Sequence, residues 1–297
     1  MLRELPPVRQ HDLVSAHVEQ TFRVKVCQPP VRRSSRTALP VVYVTDGNIT
    51  FDLFRGIWAM FHLSEQEAPE FILVSIGYPS EFPTAGYSLR GRDLTFEGFP
   101  DFTTGVPVRW TGVLEAEPNQ KRYGGAREFL QFIERELVPF IDANYPSNPR
   151  ERIYFGHSAG ATFGLFALST RSELFRDYVI SSPALSYHGT SACGESYEHY
   201  DFMFDRMRQF ANSGRSCAGR SLYLSVGTRE ETEPGLRNWR MTSSVSRFTS
   251  MLTKLPIPGL RVFAESLEGE SHTTAWPIAF MHGIQCMFGT RNVARLV

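Results

Sequence analysis

The stretch Arg152-Ile153-Tyr154-Phe155-Gly156-His157-Ser158-Ala159-Gly160-Ala161-Thr162-Phe163-Gly164-Leu165-Phe166-Ala167-Leu168 changes character at its centre. Residues 152–155 read as a short buried strand, and residues 161–168 as a packed helix. Between them Gly156 to Gly160 has the pattern Gly-x-Ser-x-Gly, a nucleophile elbow. A strand that turns sharply into a helix forces the residue at the bend into a strained backbone conformation. The Ser158 hydroxyl then stands clear of the sheet. Glycines two positions to either side carry no Cβ and leave room for the bend. The helix N-terminus favours negative charge developing there. A bare Gly-x-Ser-x-Gly arises by chance in many chains. The strand before it and the helix after it single this one out and mark Ser158 as a nucleophile.

The pattern continues outward. Residues 19–27 alternate apolar and polar side chains, as a half-buried edge strand does, and Pro29 and Pro30 end it. Residues 39–45 are a β-branched run, expected as a central strand buried on both faces. It stops at the turn signal Asp46-Gly47-Asn48. Further strands are expected at 71–77, 177–182, 221–227 and 260–268. Helical spacing covers 49–63, 124–143, about 197–210, 240–254 and 276–288. Strands alternating with helices predict an α/β architecture: a mostly parallel central sheet with helices on both faces. The active site of such a sheet lies at the carboxyl ends of its strands. Residues 1–297 are expected to form one domain. Insertions at about 79–123 and 186–218 interrupt the alternation and are expected to cover the pocket; stretches this long without periodicity are often functional.

Composition removes several classes. The 31 basic and 31 acidic residues balance, so there is no electrostatic footprint for nucleic acid. No run of about 18 apolar residues exists to cross a membrane. Residues 1–10 lack the apolar core of a signal peptide, so a cytoplasmic protein is the expectation. Cys27, Cys193, Cys217 and Cys286 show no metal-ligand spacing. Reduced thiols are expected, the alternative being a Cys193–Cys217 pair across a loop. No metal or cofactor is expected.

A serine hydroxyl is a weak nucleophile near neutral pH, so Ser158 needs a base, and the base an orienting acid. Behind an elbow of this kind the order along the chain is serine, acid, histidine. His272 follows the last strand, where a loop would carry a base back over Ser158. His282 lies within the terminal helix, and His188 and His199 within the second insertion, where they could line the pocket. For the acid, the strand at 221–227 runs into Thr228-Arg229-Glu230-Glu231. Glu230 stands at the offset that turns a carboxylate toward His272, and Glu231 is its near competitor. Asp177 precedes its strand and sits at the wrong end of the sheet. Asp201 and Asp205 read as solvent-facing helix positions. The oxyanion hole needs two backbone N–H groups. Ala159 supplies one, and Gly47 or Asn48 the other. Arg90 and Arg92 are spaced to grip a carboxylate or polar acyl group, or to brace the long loop through Asp93 or Glu97. His157 is counted with them as a substrate-binding candidate.

Together these residues resemble the putative esterase family of α/β-hydrolases over about residues 19–290. The motifs are Val41-Val-Tyr-Val-Thr-Asp-Gly47, Tyr87-Ser-Leu-Arg-Gly-Arg-Asp-Leu-Thr95, the Gly124-Gly-Ala-Arg-Glu segment, Gly156-His-Ser-Ala-Gly-Ala161 and Val226-Gly-Thr-Arg-Glu230. The Arg-x-Arg-Asp segment resembles the siderophore (enterobactin-type) esterase branch. Thr228 departs from that branch, which often has an acidic residue there. The resemblance implies the α/β-hydrolase fold and supports Ser158, Glu230 and His272 in the roles given. The expected activity is hydrolysis of a small-molecule carboxylic ester through an acyl-enzyme, on a siderophore-like or other polar ester. An acyltransferase or a thioesterase akin to S-formylglutathione hydrolase would use the same triad. A catalytically silent ligand-binding module is the alternative of a different class. Oligomeric state is not legible.

Overall fold

The β-branched run at 39–45 does form the strand at the middle of the molecule. β3 (Leu39–Val44) is buried along its whole length and pairs in parallel with β4 (Ile72–Gly77) on one side and β5 (Ser147–His157) on the other. The computed structural model describes residues 5–29, 37–62, 66–79, 84–99, 123–190 and 196–297. Beyond β5 the sheet continues in parallel through β6 (Asp177–Ser181), β9 (Arg220–Gly227) and β10 (Leu260–Leu267). Beyond β4 it turns antiparallel through β2 (Gln20–Cys27) and β1 (Val8–Ser15). The order is β1-β2-β4-β3-β5-β6-β9-β10. Chain order reverses on either side of β3, so the crevice at the carboxyl ends of β3 and β5 is the topological switch point, where such sheets bind ligands.

β2 is therefore not the edge strand expected. β1 covers it, and β1 is hard to read because its eight residues, mostly half-buried or exposed, include Arg9, Gln10, His11 and Asp12 in a row. Without an apolar face it has no period-2 signal.

One face of the sheet is covered by α1 (Gly47–Phe61) and the terminal helix α8 (His272–Phe288), joined by the stacked rings of Phe54 and Phe280 at 4.2 Å. On the other face lie α2 (Thr84–Leu94), α3 (Ala126–Phe132), a π-turn (Ile133–Leu137), α4 (Val138–Asn144), α5 (Ala159–Thr170), α6 (Phe202–Asn212) and α7 (Met241–Lys254). α5 is buried almost throughout, which explains its apolar residues on every side. The helical expectation at 197–210 is corrected. A two-stranded hairpin, β7 (Tyr187–Thr190) with β8 (Ser196–Tyr200), comes first, and the helix starts only at Phe202. Much of the 79–123 insertion, including residues 100–122, lies outside the described residues, as does Cys193. Cys27, Cys217 and Cys286 are buried free thiols. No helix among the described residues is long and apolar enough to cross a membrane.

Candidate active site

Ser158 occupies the turn between β5 and α5 with φ 57° and ψ −122°, a conformation that costs a non-glycine residue roughly 1–3 kcal/mol. The flanking glycines are required by contact. A Cβ on Gly156 would lie 2.2 Å from the Gly160 carbonyl oxygen, and one on Gly160 would lie 2.6 Å from Thr45 Oγ1. The Tyr154 hydroxyl donates to the Gly160 carbonyl at 2.7 Å, and the Ser158 N–H to the Ser181 carbonyl at 3.0 Å. The bend is thus tied to its own strand and to the next one.

Glu230 lies in the turn after β9 and is fully buried. Its Oε1 accepts from Ser182 Oγ at 2.6 Å and from the Gly227 N–H at 2.7 Å. Its Oε2 lies 2.6 Å from His272 Nδ1. With a carboxylate there, Nδ1 carries the proton and Nε2 is left as the basic nitrogen. Glu231 turns away and caps α7, accepting from the Ser243 N–H at 3.0 Å and its hydroxyl at 2.7 Å. Of the two candidates it is Glu230 that meets His272.

His272 is not on a loop, as expected, but is the first residue of α8. Ser271 caps that helix in a capping box with Thr274, and Glu233 accepts the His272 N–H at 3.0 Å. The helix expected at 276–288 starts about one turn earlier, with Pro277 in its second turn. Placing His272 inside the helix puts Trp276 one turn behind it.

His157 is 1% exposed, so it does not line the pocket. Its ring stacks on Trp276 at 4.4 Å and meets the His272 ring at 4.4 Å. Its Nδ1 lies 3.0 Å from Ser181 Oγ. Burial first, and then the neighbouring His272 ring and Arg90 charge, hold it well below the usual histidine range. Because His157 directly precedes Ser158, the contact brings the His272 ring beside the elbow.

The loop after β3 lies against the same bend. Asp46 adopts φ 61°, and a Cβ on Gly160 would come within 3.3 Å of its Oδ2. Arg90 holds Asp46 with Nε–Oδ1 2.5 Å and Nη2–Oδ2 3.3 Å. Asn48 pins the loop to the end of β4, donating to the Tyr78 carbonyl at 2.8 Å and accepting its N–H at 2.7 Å. Gly47 and Asn48, directly after Asp46, open α1, and Ala159, directly after Ser158, opens α5. Arg92 pairs with the buried Asp93 at 2.6 and 3.0 Å, and Tyr78 donates to the same carboxylate at 2.9 Å. Burial pushes Asp93 up against the pull of Arg92. Both arginines are engaged in bracing the fold, the structural alternative for them.

Sequence reading missed Ser182 and Trp276. Ser182 has φ 48°, and its hydroxyl holds Glu230. Nothing in Ser-Ser-Pro announces that role, whereas Trp276 was accessible from the i, i+4 spacing to His272. Elsewhere, His188 is buried, and His282 contacts Glu265 at 3.2 Å. The His199 side chain lies outside the described ones. Asp177 pairs with Arg176 at the start of β6, and Asp205 with Arg208 on the surface. Asp201 stands at the N-cap of α6 and pairs with Arg247. No cluster of three or more His, Cys, Asp or Glu among the described residues could hold a metal.

Comparison with known proteins places the chain in a family. The family model described as "Putative esterase" matches residues 108–284. The chain is 24% identical over 280 residues to the ferri-bacillibactin esterase BesA of Bacillus subtilis, covering 92% of this chain and 87% of that one. It is 35% identical over 157 residues to the siderophore triacetylfusarinine C esterase of Aspergillus fumigatus, covering 52% of this chain and 47% of that one. Among solved structures, the siderophore hydrolase EstB of Aspergillus nidulans superposes with a TM-score of 0.75 at 21% identity, over 97% of both chains. The doubly covered parallel sheet is the α/β-hydrolase fold, and the chain belongs to the Putative esterase family, carboxylic ester hydrolases by activity.

Proposed function

We propose that this esterase is a serine hydrolase of siderophore-type esters, acting through Ser158, His272 and Glu230 and an acyl-enzyme. The observation that carries the triad is Glu230. A fully buried carboxylate directs one oxygen at His272 Nδ1 and has its other oxygen satisfied by Ser182 and Gly227. The reading of the substrate rests on relatives named as siderophore esterases.

His272 Nε2 takes the Ser158 hydroxyl proton as Oγ bonds to the ester carbonyl carbon. The resulting oxyanion is held by the N–H groups of Ala159 and of the Gly47–Asn48 turn. Collapse breaks the carbon–alkoxide bond, and His272 gives its proton to the departing alcohol. Water then enters, His272 removes its proton, and the acyl group leaves as a carboxylic acid while Ser158 regains its hydrogen. Glu230 stabilises the imidazolium in both halves, and the stack of His157 and Trp276 holds the ring. Substrate selection is assigned to the residues around the crevice at the carboxyl ends of β3 and β5. Phe99 packs its ring against Trp239 at 5.7 Å and Phe202 at 5.0 Å, which joins the end of the first insertion to the core.

The test is twofold. A fluorophosphonate probe is expected to label Ser158, and its failure to do so would remove the mechanism. Mass spectrometry of a trilactone siderophore incubated with enzyme is expected to yield linear hydroxy acids. An enzyme that is labelled and cleaves p-nitrophenyl acetate yet leaves the lactone intact would remove the substrate reading alone.

A further inference from the structure

Gln10, Lys25 and Ser75 form one cross-strand row. Gln10 lies opposite Lys25 across β1 and β2, and Lys25 lies opposite Ser75 across β2 and β4. All three line a cavity of about 170 Å³ that ends at Gly47 and Asn48, the first residues of α1. The cavity sits under the edge half of the sheet, two strands away from β5 and its elbow.

Its groups have one chemical character. Lys25 makes no ion pair with any carboxylate among the described residues, and its ammonium lies 4.7 Å from the centre of the Phe51 ring. Neighbouring Arg23 is already committed to Asp12, with Nε–Oδ1 2.9 Å and Nη2–Oδ2 2.7 Å. Ser75 is 1% exposed, and its hydroxyl, on the cavity wall, has no hydrogen-bond partner. A buried polar atom without a partner is rare in folded proteins and calls for an explanation. The hydroxyl is also close to the helix start, since a Cβ on Gly47 would stand 2.3 Å from it. α1 runs for 15 residues with its positive end at this point. No aspartate or glutamate lines the cavity.

We propose that this cavity, between the start of α1 and strands β1, β2 and β4, binds a compact oxyanion, a phosphate or a small carboxylate. Lys25 supplies the charge, the Ser75 hydroxyl and the Gln10 amide donate hydrogen bonds, and the α1 N-terminus adds its dipole. The volume admits an ion of phosphate size. An occupied site ties β1, β2 and β4 to the start of the helix that carries Gly47 and Asn48. The anion is then expected to raise the unfolding temperature by mass action.

Calorimetric titration with inorganic phosphate, and in a second arm with citrate, tests this, with sodium chloride at matched ionic strength as the blank. Saturable binding of either anion is expected, and the arm that saturates at the lower concentration identifies the class. Lys25→Gln and Ser75→Ala are each expected to weaken it by about tenfold or more. Lys254→Gln, a cation on the distant α7, leaves it unchanged. Thermal melts verify that each variant folds. Absence of saturation with both anions up to about 10 mM, or unchanged affinity in both Lys25→Gln and Ser75→Ala, overturns the proposal.

Discussion

Glu230 Oε2 lies 2.6 Å from His272 Nδ1, although the two residues are 42 positions apart, one in the turn after β9 and the other at the start of the helix that follows β10. β9 and β10 run in register from Arg220 opposite Leu260 to Gly227 opposite Leu267. A carboxylate three residues past one strand and a histidine five past the other therefore reach the same point. Glu230→Gln keeps the volume but weakens the hold on the Nδ1 proton. Loss of about 10²–10⁴ in kcat is expected with p-nitrophenyl acetate. Glu231→Gln, which touches only the start of α7, is expected to change kcat less than about threefold and to lower stability by about 1 kcal/mol. Comparable loss of turnover in both variants would contradict the assignment.

Ser158 stores backbone strain that alanine inherits and glycine does not. Both Ser158→Ala and Ser158→Gly are expected to lose turnover by several orders of magnitude. Ser158→Gly is also expected to be more stable than Ser158→Ala by about 1–3 kcal/mol, read from urea midpoints.

Ser182 is predicted to matter through Glu230. Ser182→Ala removes one of the bonds to a carboxylate with no access to water. A stability loss of about 1.5–3 kcal/mol is expected, together with a fall of about tenfold in kcat. Wild-type stability and kcat in the variant would show that Gly227 and His272 suffice.

Gly156→Ala drives a methyl group into the backbone of Gly160 and Ala161, at 2.2 Å from the nearest atom. No side-chain rotation relieves this. Destabilisation above about 3 kcal/mol, or failure to accumulate folded protein, is expected.

His157 sets a pH dependence of stability. Its folded form resists protonation, while the unfolded chain takes up a proton near the ordinary value of about 6.5. Its contribution is complete above that pH and is lost as pH falls below it, at up to about 1.4 kcal/mol per pH unit. His282, also pulled down by burial, acts in the same direction. Urea unfolding between pH 8 and 5 is expected to show a shallower slope for His157→Gln than for wild type. Parallel curves would mean that His157 is protonated in the fold.

The fold class was legible because it rests on local periodicity. Short β-branched or apolar runs at 39–45, 71–77 and within 177–182, bounded by turn signals, read as strands buried on both faces, and the helical spacing between them points to parallel crossovers. Ser158 was legible for the same reason, since a strained bend between strand and helix is written in adjacent residues. β1 was not, because an exposed strand pairs through its backbone and leaves no side-chain pattern.

The candidate site divides in the same way. Chain order and strand ends nominated Glu230 and His272, but a choice between Glu230 and Glu231 depends on which side of a turn each carboxylate leaves, and only packing fixes that. Arg90, Arg92 and His157 look alike in sequence whether they touch a substrate or brace a loop. The tertiary structure adds what the pattern lacks: Arg90 pairs with Asp46, Arg92 with Asp93, and His157 stacks on Trp276. The sequence by itself determined the sheet, the elbow and the order of the chemistry. The tertiary structure alone decided which neighbours meet, since side chains distant in the chain are brought together by strand register and helix start rather than by any local pattern.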